Sequence, residues 1–403
     1  MSKTGFTSFE HGITAPMGFV AGAGSCGIKP SASSDLAILH STAGPCSAGA
    51  VFTTNRFASP TIRYCKSIVN TGQVRSVVIN SGNANAATGQ QGMRDTIEMA
   101  SITAKHLKVE QNEVLVASTG LIGVPLPMDK IANGIREISF SREAGLAAAQ
   151  AILTTDKSPK HSSVEISLPA GNVRIGGMCK GAGMIHPNMA TMLAFFTTDA
   201  HIETATLQSI ISEISDQTFN MISVDGDSST NDMTIVLANG ASGVRLSSQD
   251  GSTQKFTRAL SALAEYLAIE IVKGAEGSTR IFEVSVNGAS SVKDARSIAR
   301  SITSSTLMKT AVHGADPNFG RALCAIGYSQ ASFNPDVIDL WIGNTQVMKQ
   351  GTPINFDESL ASTHLGQSNS TLRLELHSGN YSATGWGCDL SAEYVSLNSE
   401  YST

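Results

Sequence analysis

The segment 177–200 reads GMCKGAGMIHPNMATMLAFFTTDA and is the most informative stretch of the chain. Its first half is dense in glycine around Lys180, and glycine lets a ligand approach the backbone closely. Pro187 then favours an extended or turned chain, and Thr191 opens an apolar, strand-like run. The change from glycine-rich to apolar sequence also suggests a domain boundary within residues 176–196.

Thr191 has two readings when the residues alone are considered. Most threonines at the start of an apolar strand are simply packed. If the Ala190–Thr191 bond were cut, however, the threonine hydroxyl would lie beside its own free α-amine, whose ordinary pKa is ~7.7–8.0. Such an amine can take the hydroxyl proton while the oxygen attacks an acyl carbon, so the second reading is an N-terminal nucleophile.

Strand-like and helix-like patterns alternate along the rest of the chain. Short runs of β-branched and apolar residues predict strands at 77–79, 114–116, 235–237 and 281–284. Apolar residues at helical spacing predict helices around 207–214 and 256–271, and Ser141 is a candidate N-cap for an alanine-rich helix. The pattern predicts an α/β or α+β fold with sheets covered by helices.

Composition limits the function classes. With 403 residues, 41% hydrophobic and 15% charged, the chain can bury a large core, and ~150 residues per domain suggests two or three units. The net charge of −5 argues against nucleic-acid partners and against anionic membranes. No secretory signal, no apolar span of ~18–20 residues and six scattered cysteines predict a cytoplasmic protein with buried thiols.

Two sequence motifs resemble cofactor sites without meeting their requirements. Residues 22–27 fit the G-x-G-x-x-G dinucleotide pattern, but Pro30 follows where a helix should begin, so a glycine turn is predicted. Residues 225–232 resemble a calcium loop, but Thr230 replaces the required glycine and Val236 the required glutamate. The sequence therefore predicts neither a metal site nor a nucleotide cofactor.

Seven further motifs accompany the segment around Thr191. They are GAVFTTNR (49–56), NSGNAN (80–85), ASTGLIG (117–123), TTD (154–156), VDGDSSTND (224–232), GADPNFGR (314–321) and NSEYST (398–403). In this order they resemble the ornithine acetyltransferase (glutamate N-acetyltransferase) family of arginine biosynthesis. The likeness extends over essentially the whole chain.

The resemblance implies a self-processing enzyme with an α/β fold of layered sheets covered by helices. The Thr191 hydroxyl would attack the Ala190 carbonyl, and hydrolysis of the resulting ester would leave an α chain, 1–190, and a β chain, 191–403. Members of the family usually assemble as α2β2.

The implied reaction moves an acetyl group by a ping-pong route. N2-acetylornithine would acetylate Thr191 and leave as ornithine, and glutamate would then take the acetyl group to give N-acetylglutamate. No cofactor is implied. Some members also accept acetyl-CoA as a co-substrate, and no residue of this sequence distinguishes the two kinds.

The same resemblance assigns the other site residues. Thr119 and Gly120 match the oxyanion hole, and the substrate-binding positions are Thr154, Lys180, Thr191, Glu276, Asn398 and Thr403. A lysine can pair with a carboxylate and a glutamate with an ammonium group. Roles for the two terminal residues require that the tail docks over the site. If the alignment slips by one residue, the candidates become Ser118, Thr155 and Asn188.

Two departures from the family pattern lie near Glu276. Gly274 stands where an acidic residue is expected, and Arg280 stands where lysine is common. These changes bear on substrate preference. His186, just before the cut, reads either as an influence on processing or as a structural turn residue.

Two other function classes stay open at this point. A self-processing amidohydrolase or aminopeptidase would use the same nucleophile and give the acyl group to water. A non-catalytic binding protein would never mature and would remain one chain.

Overall fold

The computed structural model describes residues 7–8, 11–31, 33–186 and 192–400. The strands in these ranges are β1 (Thr7–Ser8), β2 (Phe19–Gly24), β3 (Leu36–Ser41), β4 (Ser47–Phe52), β5 (Ser76–Asn83), β6 (Val114–Leu121), β7 (Lys160–Leu168), β8 (Gly171–Lys180), β9 (Leu193–Thr198), β10 (Ile222–Ser223), β11 (Met233–Ala238), β12 (Ile281–Ala289), β13 (Asp339–Ile342), β14 (Thr345–Lys349), β15 (Thr352–Pro353), β16 (Asn369–Glu375) and β17 (Tyr381–Cys388). The α-helices are α1 (Pro60–Ile68), α2 (Gly89–Leu107), α3 (Met128–Glu137), α4 (Gly145–Ala151), α5 (Thr204–Gln217), α6 (Ser252–Lys273), α7 (Val292–Ser304), α8 (Thr306–Gly314), α9 (Gly320–Gly327), α10 (Glu358–Leu365) and α11 (Ala392–Glu400). Across the same ranges, none of these helices is long and apolar enough to cross a membrane.

The strands form three sheets in the described ranges. The central sheet has the order β1-β7-β8-β9-β11-β4, a four-stranded sheet has the order β2-β3-β5-β6, and a seven-stranded sheet has the order β10-β17-β12-β16-β13-β14-β15. Helix α6 packs on β7 and β8, α7 packs on β12 and β17, and α1 and α2 pack on β6. The predicted α/β fold of layered sheets covered by helices is confirmed.

Strand β9 explains the apolar run that follows residue 191. Ala194 and Phe196 belong to the core formed with α5, α6 and the seven-stranded sheet, whereas Leu193 and Phe195 belong to the core under the four-stranded sheet. Successive side chains of a strand point to opposite faces, so the central sheet is covered on both sides at this point. A strand buried on both faces reads as a continuous apolar run.

Most of the predicted elements are confirmed. The four predicted strands are β5, β6, β11 and β12, and the two helices predicted from apolar spacing are α5 and α6. Leu207 on α5 and Leu260 on α6 are fully buried, as their periodic positions predict. Residues 25–31, after the glycine-rich end of β2, contain no helix, which agrees with the predicted turn.

The predicted helix cap at Ser141 is wrong, because helix α4 begins only at Gly145. Ser141 instead forms an isolated antiparallel bridge with Ala21, in which each backbone amide donates to the other residue's carbonyl at 2.9–3.0 Å. A Cβ at position 145 would lie 2.2 Å from the carbonyl oxygen of His11. The glycine therefore permits a close approach between the start of α4 and residue 11.

The suggested boundary near residues 176–196 does not separate two folding units. Strands β8 and β9 are antiparallel neighbours in the central sheet, with Lys180 opposite Leu193. Strand β4, from the first half of the chain, pairs with β11 from the second half. The sequence on both sides of the predicted cut thus contributes to one sheet and to both cores.

The prediction of buried thiols holds with one exception and one intermediate case. Cys46, Cys65, Cys179 and Cys388 are buried free thiols, Cys26 is half-buried, and Cys324 is exposed. Cys324 lies on α9, whose buried residues are Ala322, Ala325 and Ile326, so its side chain is on the outward face of that helix.

Candidate active site

The predicted oxyanion residues Thr119 and Gly120 lie near the end of strand β6. This strand runs parallel to β5, with Gly120 in register with Gly82. Gly120 has φ +130°, and a Cβ there would lie 2.3 Å from the carbonyl carbon of Gly82. A side chain at position 120 would therefore force the two strand ends apart, so this close approach depends on glycine.

Buried amides and a hydroxyl fix the same strand ends. Asn80 Nδ2 donates to the Asn83 carbonyl at 2.8 Å, and Ser118 Oγ donates to Asn80 Oδ1 at 2.6 Å. Asn231 Nδ2, from the second half of the chain, donates to the Ser118 carbonyl at 2.9 Å. The Ser118 hydroxyl already donates its proton to Asn80, so Thr119 is the better candidate of the two for an oxyanion donor.

Lys180, at the end of β8, reaches Thr119 near the end of β6. Its Nζ lies 3.3 Å from Thr119 Oγ1, and the residue is only 8% exposed. Burial lowers the pKa of Lys180, and nearby carboxylates, first of all that of Asp156, oppose this shift without cancelling it. A cation held with so little water is a strong partner for a substrate carboxylate.

Asp156 ties Thr154 to the segment that carries Lys180. Its Oδ1 accepts hydrogen bonds from Lys160 Nζ at 2.6 Å and from the Gly181 amide at 2.7 Å, and its Oδ2 accepts from the Thr154 amide at 3.2 Å. Burial by itself would raise the pKa of Asp156, but Lys180, Lys160 and the Gly181 amide lower it to about 2. The carboxylate is therefore ionised and holds two predicted substrate-binding segments together.

Asp156→Asn is expected to lower the free energy of unfolding at pH 7 by about 3–5 kcal/mol, because it removes the ion-pair partner of buried Lys160. The folded-state pKa of Asp156, about 2, is below the ordinary value of 3.8. Its contribution is therefore complete above pH 3.8 and is lost as the pH falls through 2. Urea unfolding of parent and variant at several pH values measures the difference, which should shrink in acid.

The matched control for this substitution is Asp250→Asn. Asp250 is exposed and accepts a hydrogen bond from the Ser252 amide in a turn before α6. Its substitution should change the stability by less than about 1 kcal/mol. If the loss of unfolding free energy in Asp156→Asn were the same at neutral and acid pH, it would contradict the ion pair between Asp156 and Lys160.

Glu276 places a carboxylate beside residues 182 and 183, just after Lys180 in the chain. Its backbone amide donates to the Ala182 carbonyl at 3.0 Å, and a Cβ on Gly183 would lie 2.4 Å from Glu276 Oε2. Asn398 Nδ2, on helix α11, donates to Glu276 Oε2 at 3.0 Å. The C-terminal segment is thus docked beside Glu276 through α11. An ammonium group at Lys180 and a carboxylate at Glu276 suit a ligand that carries both charges, such as an amino acid.

The two departures from the family pattern have structural explanations. The Arg280 guanidinium donates to the carbonyls of Val312 and His313 at 2.9 and 2.6 Å, so it binds the C-terminal end of α8. A Cβ at Gly274 would lie 3.2 Å from Lys160 Cε, so a larger residue there would press on the buried lysine. Neither position directs a side chain toward Glu276.

The structure brings six of the predicted site residues together around residues 180–183. They are Thr119, Gly120, Thr154, Lys180, Glu276 and Asn398. Ala190, Thr191, Thr403 and the second-choice Asn188 lie outside the described residues. Within the described ranges, no group of three or more His, Cys, Asp or Glu side chains is arranged to hold a metal ion.

Sequence reasoning did not assign roles to Asp156 and Lys160. Asp156 was visible in the TTD motif, and a carboxylate four residues before a lysine that begins a strand was an available signal. Burial of both side chains makes this ion pair important for stability, and that burial follows only from the packing of β7 and β8.

Comparison with known proteins places the chain in a family. The model of the ArgJ family matches residues 20–403. Proteins named arginine biosynthesis bifunctional protein ArgJ from Symbiobacterium thermophilum and Dehalococcoides mccartyi are 47% and 45% identical, each over 397 residues that cover 97–98% of this chain and 98% of theirs. The crystal structure of the protein of that name from Bacillus halodurans is 42% identical with a TM-score of 0.51, over 52% of this chain and 100% of that chain. The resemblance inferred from the motifs is confirmed, and the chain belongs to the ArgJ family.

Proposed function

We propose that Thr191 carries the acetyl group in the reaction of this ArgJ-family enzyme, the transfer of acetyl from N2-acetylornithine to glutamate in arginine biosynthesis. The observation that carries the proposal is the arrangement of Lys180, Glu276 and Thr119. The buried Lys180 ammonium group lies at one end of residues 180–183 and the Glu276 carboxylate lies against Gly183 at the other, and the ammonium nitrogen is 3.3 Å from the Thr119 hydroxyl. These groups fit N2-acetylornithine, which carries a carboxylate and a side-chain ammonium group, and Lys180 also suits a carboxylate of glutamate.

The first half-reaction acetylates the enzyme. The Thr191 hydroxyl attacks the acetyl carbonyl of N2-acetylornithine while the Thr191 α-amine takes the proton. The Thr119 hydroxyl and the Gly120 amide donate to the oxyanion that forms. Because Lys180 Nζ donates to Thr119 Oγ1, the threonine proton is free to point at the oxyanion, and the hydrogen bond from a cation strengthens it as a donor.

The second half-reaction returns the enzyme to its starting state. Collapse of the first intermediate breaks the carbon–nitrogen bond, and the α-amine of Thr191 protonates the departing ornithine. The neutral glutamate amine then attacks the acetyl-threonine ester while the Thr191 α-amine takes a proton from the attacking nitrogen; the ester carbon–oxygen bond breaks, and the α-amine returns that proton to the departing threonine oxygen. Each step uses Thr191 and its own amine, so the mechanism employs neither a metal nor a cofactor.

Self-cleavage would precede catalysis and expose the Thr191 amine. The hydroxyl would attack the Ala190 carbonyl, the peptide bond would become an ester, and water would release the chains 1–190 and 191–403. Two features support a cut at this place. Leu193 is paired with Lys180 in the central sheet. Thr191 is two residues before Leu193, and two residues of chain span at most ~8 Å. The solved B. halodurans chain is covered in full by 52% of this chain, close to the share that residues 191–403 represent.

The binding roles follow from charge. We assign the α-carboxylate of either substrate to Lys180 and the side-chain ammonium of N2-acetylornithine to Glu276, with Thr154, Asn398 and Thr403 as polar contacts around them. Acetyl-CoA is the second acetyl donor that we propose, because the curated relatives are named bifunctional. The α2β2 assembly and the cytoplasmic location stay predictions.

Acetyl transfer and hydrolysis differ in the molecule that accepts the acetyl group, which is glutamate in the first reaction and water in the second. Release of ornithine from N2-acetylornithine should be at least about tenfold faster with glutamate present than with water alone, and N-acetylglutamate should accumulate. Quantifying ornithine, acetate and N-acetylglutamate by mass spectrometry tests this. A glutamate-independent rate with acetate as the product would favour the amidohydrolase alternative, and no turnover at all would favour a binding protein.

A further inference from the structure

The aspartate-rich segment that resembles a calcium loop is bound to the chain just before the predicted cut. Asp225 Oδ2 accepts a hydrogen bond from the Met184 amide at 2.6 Å, and Asp225 Oδ1 accepts one from the Ile185 amide at 2.9 Å. Both carboxylate oxygens thus face N–H donors, which occupy the positions a cation would need. We call residues 184–186 the arm and residues 223–228 the clamp.

The clamp also binds the carbonyl groups of the arm. The Val224 amide donates to the Ile185 carbonyl at 2.6 Å, and Ser228 Oγ donates to the His186 carbonyl at 3.0 Å. Four backbone groups in three consecutive residues of the arm are therefore bound by one segment. This arrangement leaves the arm few alternative conformations.

The side chain of His186 adds two further contacts. Its Nδ1 lies 3.1 Å from Ser223 Oγ, and its Nε2 lies 2.9 Å from Arg300 Nη2. An arginine can only donate, so Nε2 is an acceptor and the ring is neutral. Burial and the charge of Arg300 lower the pKa of His186 to about 4, which agrees with that assignment.

The C-terminal segment reaches the clamp as well. Tyr394, on helix α11, donates its hydroxyl proton to Asp225 Oδ2 at 3.2 Å. A Cβ at Gly277 would lie 2.3 Å from the Tyr394 amide nitrogen, so the start of α11 is packed directly on the loop that follows Glu276. Asp225 therefore joins the arm to the docked tail.

We propose that the clamp positions the arm for self-cleavage, with Asp225 as the positioning residue. The inference rests on the proposed cut before Thr191. Downstream of the cut, the Met192 carbonyl accepts a hydrogen bond from the Met233 amide at 3.1 Å, and β9 begins at residue 193. The clamp and β11 thus hold the chain on both sides of the scissile bond. Holding reacting groups near the geometry of attack removes much of the entropic cost of the reaction.

The test compares maturation of Asp225→Asn with that of the parent. An asparagine keeps one acceptor but turns N–H donors toward the arm amides, so the half-time of cleavage should lengthen at least about tenfold. Precursor and products are followed by intact mass after rapid purification. Asp250→Asn, which loses the same charge in an exposed turn, should mature at the parent rate. Tyr394→Phe keeps the ring and should slow cleavage about threefold.

A second readout separates positioning from general damage. Molecules of Asp225→Asn that have matured should transfer acetyl within about threefold of the parent rate per acetylated chain. Cleavage of Asp225→Asn at the parent rate, or a parallel loss of transfer in matured molecules, would overturn the proposal. If Asp225→Asn does not fold, the cleavage half-time of Tyr394→Phe is the test instead. A half-time equal to that of the parent would then overturn the proposal. A parent that is never cut contradicts the proposed function instead.

Discussion

Thr191→Ala is expected to purify as one uncut chain of 42.0 kDa, whereas we expect the parent to separate under denaturing conditions into two chains of roughly 20 and 22 kDa. The substitution removes the only hydroxyl that our mechanism uses to attack the Ala190 carbonyl. It also removes the acetyl acceptor, so transfer should fall by at least about a thousandfold. Intact mass and a transfer assay measure the two effects on the same preparation.

Thr191→Ser is the control for this experiment. Serine keeps the hydroxyl, so the precursor should still be cut and the acetyl group should still be transferred, at reduced rates. Cleavage of the alanine variant between residues 190 and 191 would mean that another group performs the attack. The nucleophile assignment would then be withdrawn.

Thr119→Val should lower kcat by about a hundredfold to a thousandfold, the usual loss when one donor to an oxyanion is removed. Valine has nearly the same shape as threonine, but it cannot accept the hydrogen bond from Lys180 Nζ or donate to the intermediate. KM for N2-acetylornithine should change much less than kcat, because the hydroxyl acts mainly in the transition state. Steady-state kinetics on fully matured enzyme provide both constants.

The comparison variant is Thr119→Ser, which restores the hydroxyl and should recover most of kcat. If Thr119→Val turned over within about threefold of the parent, Thr119 would not be an oxyanion donor. A lower kcat that the serine variant fails to recover would point to altered packing at the end of β6.

The sequence predicted the parts of the fold that follow from local periodicity. Leu207 and Leu260 recur at helical spacing with their neighbours, and these segments are helices α5 and α6. The run after residue 191 was recognised as a strand, and its burial on both faces explains why it shows no polar alternation. Ser141 failed as a helix cap because its backbone pairs with Ala21, more than a hundred residues earlier.

The candidate site shows the same division between local pattern and three-dimensional contact. Lys180, Glu276 and Asn398 could be named from motifs, but their distances depend on how β8, the loop before β12 and helix α11 meet. Asp156 was part of a quoted motif without a role, because only burial beside Lys160 makes its charge important. Asp225 read as a failed metal ligand, and its contacts with the arm became visible only when the backbone was folded.

The central claim is that Thr191 holds the acetyl group, and one mass measurement tests it most directly. Matured enzyme is mixed with N2-acetylornithine in the absence of glutamate, quenched in acid and analysed as intact chains, with peptide mapping of residue 191. We predict that the C-terminal chain gains the mass of one acetyl group on Thr191, and that glutamate removes it. Turnover to ornithine and N-acetylglutamate with no acetylated chain at any quench time would contradict the account.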